Sequence, residues 1–266
     1  MKLLHQYAIM VNRTENLNFK VTLMKNVYDN DEFYNAYSKM ERSQFGLECA
    51  GEWEQLLPML PNLSETTILD LGCGYGWHCA YAAKQGANLI VGIDQSEKML
   101  NEAKKRSGAL NIEYYRCDLL EYDYPNDTYD LVLANLVLHY VEDLKKVYRL
   151  VHKTLKEDGC FVFNIEHPTF TAGINQQWHK EGFWPVDNYF YPGEVTTDFL
   201  GCEVKKYHHT LTQILNDLIK CGFIIEIVEE VIPPEKWRVQ LPDEMRRPMM
   251  LLVKAKKNAN HGGIKI

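Results

Sequence analysis

The residues best equipped for chemistry lie in the run Thr67-Ile-Leu-Asp-Leu-Gly-Cys-Gly-Tyr-Gly-Trp77. It reads as a buried strand running into a glycine-rich turn, followed by a helix from His78 to Gln85 that Gly86 closes. Glycines at 72, 74 and 76 accept the dihedrals of a sharp turn and let main chain approach a ligand without Cβ interference. Strand, tight turn and helix in this order form the crevice in which α/β proteins hold nucleotide cofactors. Two more carboxylates arrive where such a crevice needs them. Asp94 ends a second strand, 22 residues after Gly72, where an acid can accept hydrogen bonds from both ribose hydroxyls. Asp118 follows the third strand, where it can accept from an adenine amino group. Each acid also has a blander reading: Asp70 satisfied by nearby backbone amides, Asp94 at a helix N-terminus, Asp118 as a solvated strand end.

The segment from Leu69 to Trp77 resembles motif I of the class I S-adenosylmethionine-dependent methyltransferases, and the likeness extends over residues 64–166. That resemblance implies S-adenosyl-L-methionine as cofactor. It gives Asp70, Gly72, Gly74 and Gly76 to the methionine moiety, Asp94 to the ribose and Asp118, with the adjacent Leu119, to the adenine. Gln95 and Met99 then lie beside ribose and adenine, and Asn135 and Leu136 fall where the methionine normally rests. The phrases from Tyr28 to Trp53, Glu166-His167-Pro168, Trp184-Pro-Val-Asp-Asn-Tyr-Phe190 and Arg246-Arg-Pro-Met-Met250 resemble a bacterial subgroup of uncharacterised small methyltransferases. A dinucleotide-binding oxidoreductase shares the strand, turn and ribose-binding acid, but its GxGxxG pattern needs glycine or alanine at position 77, which here is Trp. The Ala134-Asn-Leu-Val137 segment lacks the Asn/Asp-Pro-Pro-aromatic motif of enzymes that methylate exocyclic amines of bases. A regulator that binds the cofactor without reacting is the non-enzymatic alternative.

Methyl transfer from a sulfonium is an in-line displacement, so alignment and exclusion of water carry much of the catalysis. A general base is needed only if the nucleophile starts protonated. His139 after strand four, and Glu166 with His167 after strand five, are the candidates. Against these stand a backbone-bonded role for His139 and turn formation before Pro168 for the other two. His208 and His209 precede a capped helix and read as capping or surface residues. Within the aromatic run, Trp184 and Tyr189 are candidates to enclose a flat or apolar acceptor and Asp187 to give it a polar contact; a small core packing this stretch onto the domain explains the aromatics equally well. Tyr28, Tyr34, Tyr37 and Arg42 are candidates to close over the carboxylate end of the cofactor. No His/Asp cluster has metal-ligand spacing, so no metal is expected.

These residues require an α/β sheet to position them. Strands are expected at Thr67 to Leu71, Leu89 to Ile93, Ile112 to Arg116, Tyr129 to Ala134, Cys160 to Ile165, Phe223 to Val228 and Met249 to Ala255. They alternate with a helix capped by Ser96 and ending at Gly108, one along Val141 to Leu155 ending before Gly159, and one opened by a Thr210/Gln213 capping box and ended by Gly222. The fold expected is a doubly wound, Rossmann-like seven-stranded sheet with its last strand antiparallel, preceded by a helical cap from Phe33 to Leu60. One methyltransferase domain is placed at 25–257, with residues 1–24 as an extension, Met24 as an alternative start and 258–266 as a tail. Residues 166–202, broken by Pro168, Pro185 and Pro192, are expected to form a substrate lid.

At 266 residues, with 46% hydrophobic and 24% charged residues, the chain suits one large globular domain. A net charge of −7 disfavours nucleic acid and favours a small-molecule substrate. Seven cysteines without CxxC spacing read as reduced thiols of a cytoplasmic protein. Neither a membrane span nor a signal peptide is apparent. A monomer or homodimer is expected.

Overall fold

Continuous apolar runs, with apolar residues on both strand faces, dictate a sheet covered on both sides, and a computed structural model, which describes residues 26–258, has that form. Seven strands, β1 (Thr67–Leu71), β2 (Leu89–Asp94), β3 (Glu113–Arg116), β4 (Tyr129–Asn135), β5 (Leu155–Glu166), β8 (Phe223–Glu230) and β9 (Met250–Lys257), lie in the order β3-β2-β1-β4-β5-β9-β8. The first five are parallel, and β9 runs antiparallel between β5 and β8. A separate hairpin of β6 (Gly193–Phe199) and β7 (Cys202–His208) stands outside this sheet.

Five longer helices, α1 (Asp31–Ser38), α2 (Trp77–Lys84), α3 (Glu97–Ser107), α4 (Leu144–Thr154) and α5 (Leu211–Lys220), surround the strands. One face carries Leu69, Val132, Phe161 and Val253 against Val147 and Val151 of α4 and Ile214 and Leu218 of α5. On the other, Ile68, Leu131, Val162 and Leu252 meet Cys79 and Ala82 of α2 with Leu56 and Met59. Each such fully buried aliphatic or aromatic side chain contributes about 1.5–3 kcal/mol. Local signals set the helix ends: Ser96 Oγ accepts from the Met99 amide, and the Thr210/Gln213 capping box opens α5.

Three expectations need correction. The helical pattern from Phe33 to Leu60 is broken into α1, Glu41–Phe45, Trp53–Leu56 and single turns, because Gly46, at φ +70°, turns the chain flat against the Trp77 ring. Helix α4 ends at Thr154, since Leu155 already opens β5 and pairs with Tyr129; the register then shifts, residues 156–159 forming an irregularity in the strand before Cys160 pairs with Leu131. The proline-rich stretch holds more regular structure than a loop. It contains a short helix, Pro168–Thr171, and β6, and the hairpin continues to His208. Leu200 and Gly201, both at positive φ, make its two-residue turn. Phe199 and Val204 of the hairpin pack with Phe33 and Met40, joining the N-terminal helices to this insertion. The expected extension 1–24 and most of the tail 258–266 lie outside the described residues.

Candidate active site

Parallel strands place their carboxyl ends along one edge, and register brings the expected residues there: Asp70 pairs with Gly92, Asp94 with Arg116 and Asn135 with Asn164. Beyond β1, Gly72, Gly74 and Gly76 all have positive φ. At Gly72 the need is double, because a Cβ would also fall 2.5 Å from Val137, so the turn rests directly on the segment after β4. Among the described residues nothing lies within 4 Å of where a Gly74 Cβ would project, and the turn opens there. Asp94 bends back over it, Oδ2 accepting from the Gly74 amide at 2.9 Å and Oδ1 from Ser96 at 2.8 Å. Burial pushes its carboxyl up to about 6 although both amides pull it down. Asp70 is sealed beneath the turn, where Cys79 Sγ donates to Oδ2 at 3.2 Å, and burial pushes its carboxyl up to about 7.

Asp118 lies alongside. Gln95 Nε2 donates to its Oδ2 at 2.6 Å and the Leu120 amide to Oδ1 at 2.7 Å. Leu119, next to Asp118, and Met99, in the first turn of α3 beyond Gln95, are buried, 7% and 2% exposed. The edge from β2 to β3 therefore presents two carboxylates suited to hydroxyl and amine donors.

Past β4 the chain bends sharply, Leu136 sitting at φ +56°. Asn135 Nδ2 donates to Glu52 Oε1 at 3.0 Å, the same oxygen that Arg42 Nη2 meets at 2.8 Å. Asn164 Nδ2 donates to Asn135 Oδ1 at 2.9 Å. Burial pushes the Glu52 carboxyl up, but Arg42 and Asn135 outweigh it and hold it below the ordinary range. Its Oε2 is buried without a hydrogen-bond partner among the described residues, an acceptor beside the end of β4. Sequence reasoning found Arg42 and Asn135 but missed Glu52, which follows no periodic or motif signal. Tyr28 joins this region through its hydroxyl, 3.1 Å from that of Tyr140. Tyr37 and Tyr34 pack edge-on against Tyr75 of the glycine turn.

Of the three base candidates, two meet. His139 Nε2 lies 3.8 Å from Glu166 Oε1, and both side chains are 2% exposed. Burial lowers the imidazole to about 4 despite Glu166, so it is neutral at physiological pH, and its Nδ1 has no hydrogen-bond partner among the described residues. Lys206, from β7, donates to Glu166 Oε1 at 2.6 Å while 1% exposed. Burial raises the Glu166 carboxyl, yet Lys206 and His139 bring it below its usual value. Lys206 escaped sequence reasoning because it lies 40 residues from its partner, in a hairpin that was itself missed. His167 points elsewhere: its Nδ1 accepts from the Thr169 amide at 3.1 Å, and Nε2 lies 3.0 Å from Glu230. It caps the short helix behind it.

The three acceptor candidates do not form one wall. Trp184 stacks on Phe170 at 5.3 Å, with Nε1 donating to the Thr169 carbonyl at 3.0 Å. Asp187 is exposed and bonds the adjacent Asn188 amide. Tyr189 takes the Leu211 amide on its hydroxyl at 3.2 Å, while its carbonyl meets His208 Nε2 at 2.9 Å. His208 and His209 are buried, not at the surface; His209 Nε2 lies 2.8 Å from the Val141 carbonyl.

A family model described as a methyltransferase domain matches residues 69–163. An uncharacterised protein of Haemophilus influenzae is 30% identical over 246 residues, spanning 87% of this chain and 96% of its own. A "putative S-adenosylmethionine dependent methyltransferase" from Listeria monocytogenes is 43% identical with a TM-score of 0.76, covering 80% of this chain and 99% of its own. An S-adenosylmethionine-dependent methyltransferase from Mesorhizobium loti is 42% identical with a TM-score of 0.75, over 80% and 100% of the two chains. With the strand order, the glycine turn and its acids on one edge, these likenesses place the chain in the family of S-adenosylmethionine-dependent methyltransferases.

Proposed function

We propose that this chain transfers a methyl group from S-adenosylmethionine, the cofactor of its family, to a small-molecule acceptor at the carboxyl ends of β4 and β5. The observation carrying this reading is the alignment along one edge of an open glycine turn, the Asp94 and Asp118 carboxylates and the Arg42–Glu52–Asn135 network. The residues present fit the cofactor. Among the described residues Gly74 has nothing over it, and Glu52 Oε2 and Asn164 Oδ1 are buried acceptors lacking donors, as an ammonium-bearing ligand requires. Asp94 and Gln95 would hold the ribose, Asp118, Leu119 and Met99 the adenine, and Arg42, Glu52 and Asn135 the amino-acid end. Position 77, where a dinucleotide site needs a small residue, is filled by an indole packed on Gly46 and under Arg106.

When bound, the cofactor supplies an electrophilic methyl whose C–S electron pair stays on sulfur as the acceptor's lone pair takes the carbon. Neutral His139 accepts the acceptor's proton, and the ionised Glu166 stabilises the imidazolium that results. Lys206 keeps Glu166 ionised for that task. Calorimetry tests the reading: micromolar binding of S-adenosylmethionine and S-adenosylhomocysteine without NAD binding is expected, and NAD binding alone overturns it. Methyl transfer from labelled cofactor into a metabolite extract, lost in Asp94→Ala, tests catalysis.

A further inference from the structure

Three separated segments converge beyond the ends of β5 and β9. Thr169, the aromatic residues Trp178, Phe183 and Trp184, and the pair Arg246 and Arg247 line a cleft of about 310 Å³, within the range of small-ligand sites. Its floor is unusual. The Arg247 side chain is 5% exposed, with its guanidinium carbon 4.0 Å from the Trp184 ring centre, 4.9 Å from Phe170 and 5.5 Å from Trp178. Its Nε and Nη1, and Trp178 Nε1, are buried donors with no hydrogen-bond partner among the described residues. Leaving such donors unsatisfied costs about 1–3 kcal/mol each, more for a charged group. Gly173 lets Trp184 close the stack: a Cβ there would lie 2.5 Å from the indole.

The charges on every side are few. Arg246 is held by Asp243 at 3.1 Å and by the Gly182 carbonyl, over the Trp178 ring. Glu244 lies 3.6 Å from Arg247 Nη1, beyond a hydrogen bond, and burial pushes its carboxyl up to about 7 although Arg247 pulls it down. Glu244 therefore offsets only part of the guanidinium charge near neutral pH. One incompletely paired cation with in-plane donors, an indole N–H and flat aromatic walls match a monoanion on a planar apolar body; a phosphate dianion would need a second free cation.

We propose that this cleft binds the carboxylate of a flat, apolar-bodied organic acid. Thr169 lies three residues beyond Glu166, and the His167 amide donates to the Met249 carbonyl at 2.8 Å, beside Pro248 of the cleft. The cleft thus adjoins the carboxyl end of β5. Resting on the methyltransferase reading for this step alone, the acid is the methyl acceptor, held here by its carboxylate.

The test is a titration of the ¹⁵N-labelled chain, following the Trp178 indole N–H signal assigned through Trp178→Phe. Phenylacetate is expected to shift it saturably, and neutral phenylacetamide to bind about tenfold or more weakly, the value of one charge-assisted contact. Arg247→Gln should abolish the phenylacetate response, and Arg247→Lys should not restore it, while S-adenosylhomocysteine binding by calorimetry stays intact in both. Equal response to acid and amide, no response to either, or an unchanged response in Arg247→Gln overturns the proposal. Tighter binding of phenyl phosphate overturns the carboxylate assignment. Loss of S-adenosylhomocysteine binding in the unaltered chain would sink the methyltransferase reading and leave the cleft standing.

Discussion

The Asp70 carboxyl is 1% exposed, and burial outweighs the Cys79 Sγ hydrogen bond that favours its charged form, so its ionisation opposes folding. Because its folded value of about 7 exceeds the unfolded one near 3.9, stability is full below pH 4 and lost as pH rises through 7. Asp70→Asn should therefore be more stable than the parent at pH 8, on the order of 3 kcal/mol, and equal to it at pH 4 in urea melts. His139 behaves oppositely, staying neutral down to about pH 4. His139→Ala should lower kcat by about 10²–10⁴ with unchanged cofactor affinity, and the parent's rate should not decline until pH falls towards 4. Measured kcat profiles check both. Asp70, Gly72 and Asp94 were legible in the sequence because a turn's dihedrals and a strand's end constrain residue type locally. Glu52 and Lys206 were not: their value comes from partners 83 and 40 residues away.

Among elements, the hairpin of β6 and β7 is tied to the sheet through Lys206, whose ammonium is buried against Glu166. Lys206→Met would leave a carboxylate buried and uncompensated, costing about 3–5 kcal/mol of stability. The double variant Lys206→Met/Glu166→Gln should recover most of that loss; a thermal melt in which it does not would disprove the pairing argument. The strands of the main sheet were readable since continuous apolar runs suit a sheet buried on both faces. The hairpin was hidden because its turn is Leu200-Gly201, not the Asn-Gly or Asp-Gly that announces such a turn. Helix breaks after α1 were hidden too, as Gly46 bends the chain to meet Trp77, a contact no local pattern records.

At the scale of the molecule, the N-terminal segment spans the crevice by a few contacts: Asp29 to Ser96 after β2, Glu52 to Asn135 at the end of β4 and Tyr28 to Tyr140 beyond it. A ligand bridging the same strands adds its binding free energy to theirs. S-adenosylhomocysteine at a hundredfold excess over Kd should contribute about 2.7 kcal/mol and raise Tm by about 5–10 °C, with NAD giving no shift in a scanning-fluorescence assay.

Strand β9 runs between β5 and β8, both made before it. During synthesis the edges of β5 and β8 therefore wait open until residues 250–257 emerge and insert between them as a wedge. Pro248, two residues before that wedge, also borders the cleft, so a ligand seated there lies beside the strand that closes the sheet.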